Sequence, residues 1–267
     1  MRIFIVAALL LIPSLGFAQD LNFDDISKSE IEGIANDFSA NFTHTAVTGA
    51  NTLGSVFGFE VGLILGATKI ESLEDIIKET DPNADVPGLL PHGGLMGMIS
   101  VPFGWTFEAT FIPSTGDDSF EFSNLTAAVK WSLTETLLSA LPLSIAVRGH
   151  YAKTSIDFTQ EDPGLTTATV NGSLDNTVTG LQAVVSKDFV VVTPYAALGF
   201  LQGTGELSVN GTDSAFNFTA SNSASADVTS EQILIGAELK MVIFKLAAEY
   251  SRQFETERYT AKASFFF

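Results

Sequence analysis

Three histidines, His44, His92 and His150, are the whole imidazole supply of this chain, and it contains no cysteine. A hydrolase needs a base within reach of a nucleophile or an activated water. His150 lies in a strand-like run with no serine two residues on; the next serine is Ser155, and no recognisable motif surrounds it. His92 falls in a segment that reads as a loop, and His44 beside a helix. Without cysteine there is no thiol nucleophile, thiolate metal site or disulfide framework. Asp81-Pro-Asn83-Ala-Asp85 matches the start of a calcium-binding EF-hand loop. Val86 replaces the glycine of its sharp turn, however, and His92 stands where the bidentate glutamate belongs. These residue types assign no catalytic group, no metal and no cofactor. The chain reads as a non-enzyme, with hydrolysis through His150 the least favoured of three functions.

The remaining charged candidates share a different property, which is their phase. Glu60, Glu108, Glu238 and Glu249, with Lys130, Arg148, Lys245 and Lys262 and with His150, sit on the polar side of runs whose other positions are apolar. Phe57, Phe59, Val61, Leu63 and Leu65 alternate with Gly58, Glu60 and Gly62. Trp105, Phe107, Ala109 and Phe111 alternate with Thr106, Glu108 and Thr110. The same period of two recurs at 125–133, 143–151, 181–186, 232–240, 244–251 and 259–267, with a weaker run at 94–101 and an apolar run of ambiguous phase at 190–201. A period of two places alternate side chains on opposite faces of a strand. About ten such strands predict an all-β fold, a transmembrane antiparallel up-and-down β-barrel with apolar residues towards lipid and the charged set lining the lumen. Four acids against four bases can pair, as charges withdrawn from water require. The connections support a barrel over a soluble sandwich. Tight turns at Pro102–Gly104, Lys187-Asp188 and Lys240-Met241 alternate with long segments at 68–93, 157–176 and 202–228, as short turns at one rim and long loops at the other would.

Two further elements are helical by spacing. Residues 26–42 carry Ile31, Ile34 and Phe38 on one face and predict an amphipathic plug helix. Ile70, Leu73 and Ile77 do the same for a short helix over 69–79, an external gate or a lid on the barrel rim. Before them, Met1-Arg2, an apolar run from Ile3 to Ile12, and Gly16-Phe-Ala18 read as a secretory signal peptide over 1–18, cleaved after Ala18. The expected organisation is therefore a signal at 1–18, a plug segment at 19–50 and a barrel at 51–267. Composition agrees. The chain is 46% hydrophobic but only 16% charged, against about a quarter in soluble domains. Its formal charge of −18 argues against nucleic acid as a partner.

The last strand, with Tyr259, Phe265 and the terminal Phe267 on one face, resembles the C-terminal signature of bacterial outer-membrane proteins. That resemblance implies recognition by the barrel-assembly machinery. The order of an export signal, an amphipathic segment, Gly58-Phe-Glu60, Pro102-Phe-Gly104, Phe111-Ile-Pro113 and Val129-Lys-Trp-Ser132 resembles a family of outer-membrane β-barrels of unknown function. A looser similarity is to fatty-acid-transporter barrels, which have more strands. The resemblance implies an outer-membrane location, with lipid and lipopolysaccharide as neighbours and a small hydrophobic molecule as candidate ligand. The leading expectation is gated passive passage of a small or hydrophobic molecule. The rival is a closed structural or surface-interaction barrel.

Overall fold

The computed structural model describes residues 28–54, 56–80, 88–117, 119–138, 140–161, 168–213 and 218–267. Helix α1 (Lys28–Phe42) leads through a stretch without regular secondary structure into β1 (Gly58–Lys69), which is followed by α2 (Glu71–Thr80). Nine more strands follow: β2 (Leu89–Val101), β3 (Trp105–Asp117), β4 (Phe120–Ser132), β5 (Ser144–Glu161), β6 (Ala168–Ser186), β7 (Val192–Asp213), β8 (Phe218–Lys240), β9 (Phe244–Gln253) and β10 (Thr256–Phe266). Every neighbouring pair is antiparallel, and β1 closes on β10 with Val61 opposite Phe265. Closure leaves neither β1 nor β10 as a free edge. The expected signal peptide, the rest of the segment before Lys28, and the Asp81–Asp85 motif lie outside the described residues.

The alternation explains the closure. Phe59, Val61, Leu63, Leu65, Phe107, Leu181, Ile233, Ile235 and many like them point outward and are exposed, while their chain neighbours turn into the lumen and are buried. A polypeptide gains nothing by showing this face to water; it is the surface of a barrel set in lipid. Aromatic side chains gather at two levels. Trp105 stacks on Trp131, and Phe59 on Phe267, at the rim where β10 ends. Tyr250 packs on Tyr259 nearer the opposite rim. Such belts mark membrane–water boundaries. Tyr259 and Phe265 are separated along β10 by about 20 Å at roughly 3.3 Å per residue. No helix among the described residues is long and apolar enough to cross a membrane.

At the rim where β10 ends, the near rim, three of the four connections are short (102–104, 187–191 and 241–243) and one is longer (133–143). At Phe103-Gly104 both residues have positive φ (69° and 80°), the conformation of the two-residue turns that suit twisted hairpins. At the far rim the expected long loops are largely absent. Residues 157–161 extend β5 and 168–176 begin β6; 202–213 extend β7 and 218–228 begin β8. β7 and β8 reach 22 and 23 residues, whereas β9 and β10 have 10 and 11 and join through Phe254-Glu255. Only 9–11 residues are needed to cross a bilayer. The far halves of β5–β8 therefore form a one-sided wall beyond it. His92, expected in a loop, lies in β2, and the weak run at 94–101 is the near end of a strand that begins at Leu89.

Candidate functional site

The lumen is filled by the chain's own N-terminal segment. α1 lies inside the far half, its Phe38 and Phe42 rings packed together at 5.8 Å. Ile34, Phe38 and Phe42 form an apolar cluster with Ile70 and Leu73 at α2, and with Ile156, Leu174 and Leu207 of the wall. Ile31 sits half-buried beside a second cluster that includes Ala35, Val178, Leu201 and Phe254. The wall makes room for the helix with small residues. A β-carbon at Gly205 would stand 3.2 Å from that of Ala35, and one at Gly203 would collide with Ser39. Polar ties add to the fit, with Asn176 donating to Ser39 Oγ (3.0 Å) and Gln253 donating to the carbonyl of Ala40 (2.9 Å).

α2 folds inward over this helix. Ile70 and Leu73 are fully buried against α1; the Ile77 side chain lies outside the described residues. The Asp37 carboxylate accepts the Leu73 backbone N–H at 2.8 Å, capping one of the unpaired donors in the first turn of α2 from another element. Burial pushes the Asp37 carboxyl up to about 7, against the opposing pull of that N–H and with help from the nearby charge of Glu71. α2 is thus a lid docked on α1, and Ile70 and Leu73 present no open entry surface.

From Thr43 the chain runs down the lumen to the near rim without regular secondary structure, with a left-handed backbone at Val47 (φ 47°). His44 Nδ1 pairs with Thr126 Oγ1 (2.8 Å), and Thr45 donates to Glu249 (3.1 Å). The Ala50 N–H donates to Ser186 Oγ and the Leu53 N–H to Ser100 Oγ, each at 3.0 Å. Each of these backbone groups would otherwise be buried without a partner, at a cost of about 1–3 kcal/mol.

All nine charged or imidazole residues assigned to the lumen by phase are buried, and they divide into groups. Near the rim, Glu60 and Glu238 alternate with Lys245 and Lys262 in a closed square of four ion pairs between 2.7 and 3.0 Å. Ser264 adds a hydrogen bond to Glu60 at 2.7 Å. Every member comes from β1, β8, β9 or β10, so this square belongs to the wall alone. Across the barrel, on β3–β5, Glu108 faces Arg148 Nε at 3.0 Å, His44 Nε2 at 3.1 Å and Lys130 Nζ at 3.7 Å. Here the N-terminal segment takes part. Lys130 donates to the carbonyls of Gly49 and Asn51, both at 2.9 Å, and Arg148 reaches the Thr48 carbonyl at 3.4 Å. Glu249 stands apart, accepting from Thr45 and Tyr195. His150 meets Thr43 Oγ1 at 3.5 Å, and its ring centroid is 5.7 Å from that of His44. Ser155 is an odd number of residues from His150, so it takes the opposite face of β5, where it donates to Asp175.

Three participants were not assigned from sequence. His92 points inward and bridges Asn41 Oδ1 (3.1 Å) and Thr260 Oγ1 (3.0 Å), over a Gly66 that leaves space for its ring. Arg258 is buried one residue beyond the terminal strand as read from Tyr259. Asp37 lies on the helix but outside its apolar stripe. At Arg258 a signal was present: extending the alternation back from Thr260 places residue 258 on the lumenal face. Tyr259, Phe265 and Phe267 are exposed on the outer surface, as their phase requires.

A closed, lipid-facing barrel with a lumen of buried ion pairs and an internal helix defines a transmembrane β-barrel of outer-membrane type. Within that class the chain belongs to the family of unknown function DUF6588, whose model matches residues 64–265. A comparison with the curated proteins finds no match. Among solved structures the fold is similar to the outer membrane protease OmpT from Escherichia coli (10% identity, 79% of this chain and 96% of that one, TM-score 0.43). It is also similar to the translocator domain of the autotransporter NalP from Neisseria meningitidis (10% identity, 80% and 89%, TM-score 0.43). A third likeness is to Ail, the attachment invasion locus protein of Yersinia pestis (12% identity, 78% and 99%, TM-score 0.31). The looser likeness to fatty-acid-transporter barrels is not shown by these comparisons.

Proposed function

We propose that this protein is a plugged barrel of the bacterial outer membrane that passes a small molecule when residues 28–54 shift within the lumen. The near-rim square carries this reading: Glu60, Glu238, Lys245 and Lys262 satisfy one another from the wall alone. A charged wall that is already paired tolerates water when the segment leaves, because no new unpaired ion is created there. The polar ties of residues 43–53 can be exchanged for water in the same way. In this reading the near rim, where three of the four connections are short, faces the periplasm, and α2 closes the external side. No catalysis is assigned.

Planar-bilayer conductance of the refolded protein tests this. Deleting residues 20–42 should open or enlarge channels. A cysteine pair placed at Ala35 and Gly205 should silence any gating of the full chain when oxidised and restore it when reduced. Those β-carbons would stand 3.2 Å apart, near the separation of about 3.8 Å that a disulfide prefers. Silence from the deletion variant, with a folded barrel shown by heat-modifiable migration, would defeat the passage reading. It would favour a closed barrel displaying the tall β5–β8 wall to partners outside the cell, a second reading that the length of those strands supports.

A further inference from the structure

We propose that a small cavity beside Arg258 in the barrel lumen is a binding site for a monovalent anion of halide size. Arg258 is 3% exposed. Among the described residues it makes no hydrogen bond or ion pair, and its Nε is buried with no partner. Arg148 Nε is likewise without a hydrogen bond but lies 3.0 Å from a Glu108 oxygen, an ion pair that Arg258 lacks. Arg258 lines the cavity together with Asn41 and Thr43 of the N-terminal segment and His92, Asn124 and Thr126 of the wall. A guanidinium does not shed its charge in a protein, and a buried charge without a counter-charge is costly.

Among the described residues the buried cations of the wall outnumber its buried carboxylates. Its buried cations are Lys130, Arg148, Lys245, Lys262 and Arg258, against Glu60, Glu108, Glu238 and Glu249. Glu60, Glu108 and Glu238 are held by the other four cations. Glu249 accepts from the hydroxyls of Thr45 and Tyr195 and attracts Arg258 at longer range, but among the described residues it makes no ion pair with it. The buried carboxylate of α1, Asp37, is committed to the first turn of α2. The described lumen therefore carries one positive charge in excess, and the cavity is lined by the one cation of the set that makes no ion pair. Water in that space would satisfy hydrogen bonds but leave the charge; an anion satisfies both. The space holds a body about the size of one or two waters. A halide is of that size. Because Asn41 and Thr43 also line the cavity, the anion would tie the N-terminal segment to β10. The site holds whether or not the barrel conducts.

The test uses the full refolded protein and bromide. Crystals grown in sodium bromide should show an anomalous peak in contact with the Arg258 guanidinium. In solution, replacing chloride by gluconate at constant ionic strength should lower the urea midpoint of the wild type, and Arg258→Gln should remove that dependence. No anomalous signal at Arg258 would overturn the proposal, as would an Arg258→Gln variant that keeps the full chloride dependence. Should Arg258→Gln fail to refold, the bromide peak in the wild type decides alone.

Discussion

The two buried charge clusters of the lumen use the same residue types for different ends. Near the rim, two carboxylates serve two lysines, and each lysine touches both carboxylates. Across the barrel, on β3–β5, one carboxylate, Glu108, serves Arg148, Lys130 and His44, and the balance is made up by carbonyls of the N-terminal segment. The first arrangement is redundant and independent of what fills the barrel. The second is neither. The near-rim square thus keeps the wall intact, while the Glu108 cluster ties the wall to its contents.

That contrast can be broken most severely at Glu108. Glu108→Gln leaves two buried cations without a carboxylate and should cost about 3–5 kcal/mol, the usual consequence of removing one partner from a buried pair. Loss of heat-modifiable migration or a large fall in the urea midpoint would register it. Glu60→Gln should cost distinctly less, because Glu238 still touches both lysines. Equal losses in the two variants would refute the claimed redundancy. Deleting residues 20–54, which removes His44 and the carbonyls of Thr48, Gly49 and Asn51 from the Glu108 cluster, should sharpen the comparison further. In that background the additional cost of Glu60→Gln should be unchanged, since the square makes no ion pair with the deleted segment.

The smallest expected effect concerns the contact between α1 and α2. The Asp37 carboxyl has its folded pKa raised to about 7 from 3.8, so the folded state holds the proton more tightly than the unfolded chain does. The associated stability is fully present below about 4, declines as pH rises, and is lost above about 7. Hydrogen-exchange protection of the Leu73 amide should therefore be greater at pH 5 than at pH 8. Asp37→Asn, neutral throughout and still able to cap, should flatten that dependence.

Much of this architecture can be read from period alone. β1, β3, β4, β9 and β10 alternate cleanly because one face meets lipid and the other a polar lumen, so every second residue is under opposite demand. The signal fails where the demand fails. The far halves of β6, β7 and β8, with runs such as Asn171-Gly-Ser173 and Ser221-Asn-Ser-Ala-Ser225, stand beyond the lipid; neither face needs to be apolar, and they read as loops. β2 is obscured by Pro91, Gly93 and Gly94. The charged lining of the lumen follows from phase, but its division into two clusters does not. That division depends on which strands adjoin and on the path of residues 43–54, neither of which a pattern of period two encodes.

The unequal strand lengths have one further consequence. β8 pairs with β7 up to Phe218 but with β9 only up to Ile233. Its far half is therefore bordered by a strand on one side only, a template on which a neighbouring molecule could add a strand and seed aggregation. The sequence there guards against this. From Thr219 to Gln232 it is small and polar, and Asp227 and Glu231 are exposed on its outer face. Two barrels meeting edge to edge would bring these acids together. Replacing both with threonine should leave the barrel folded and make it self-associate in detergent.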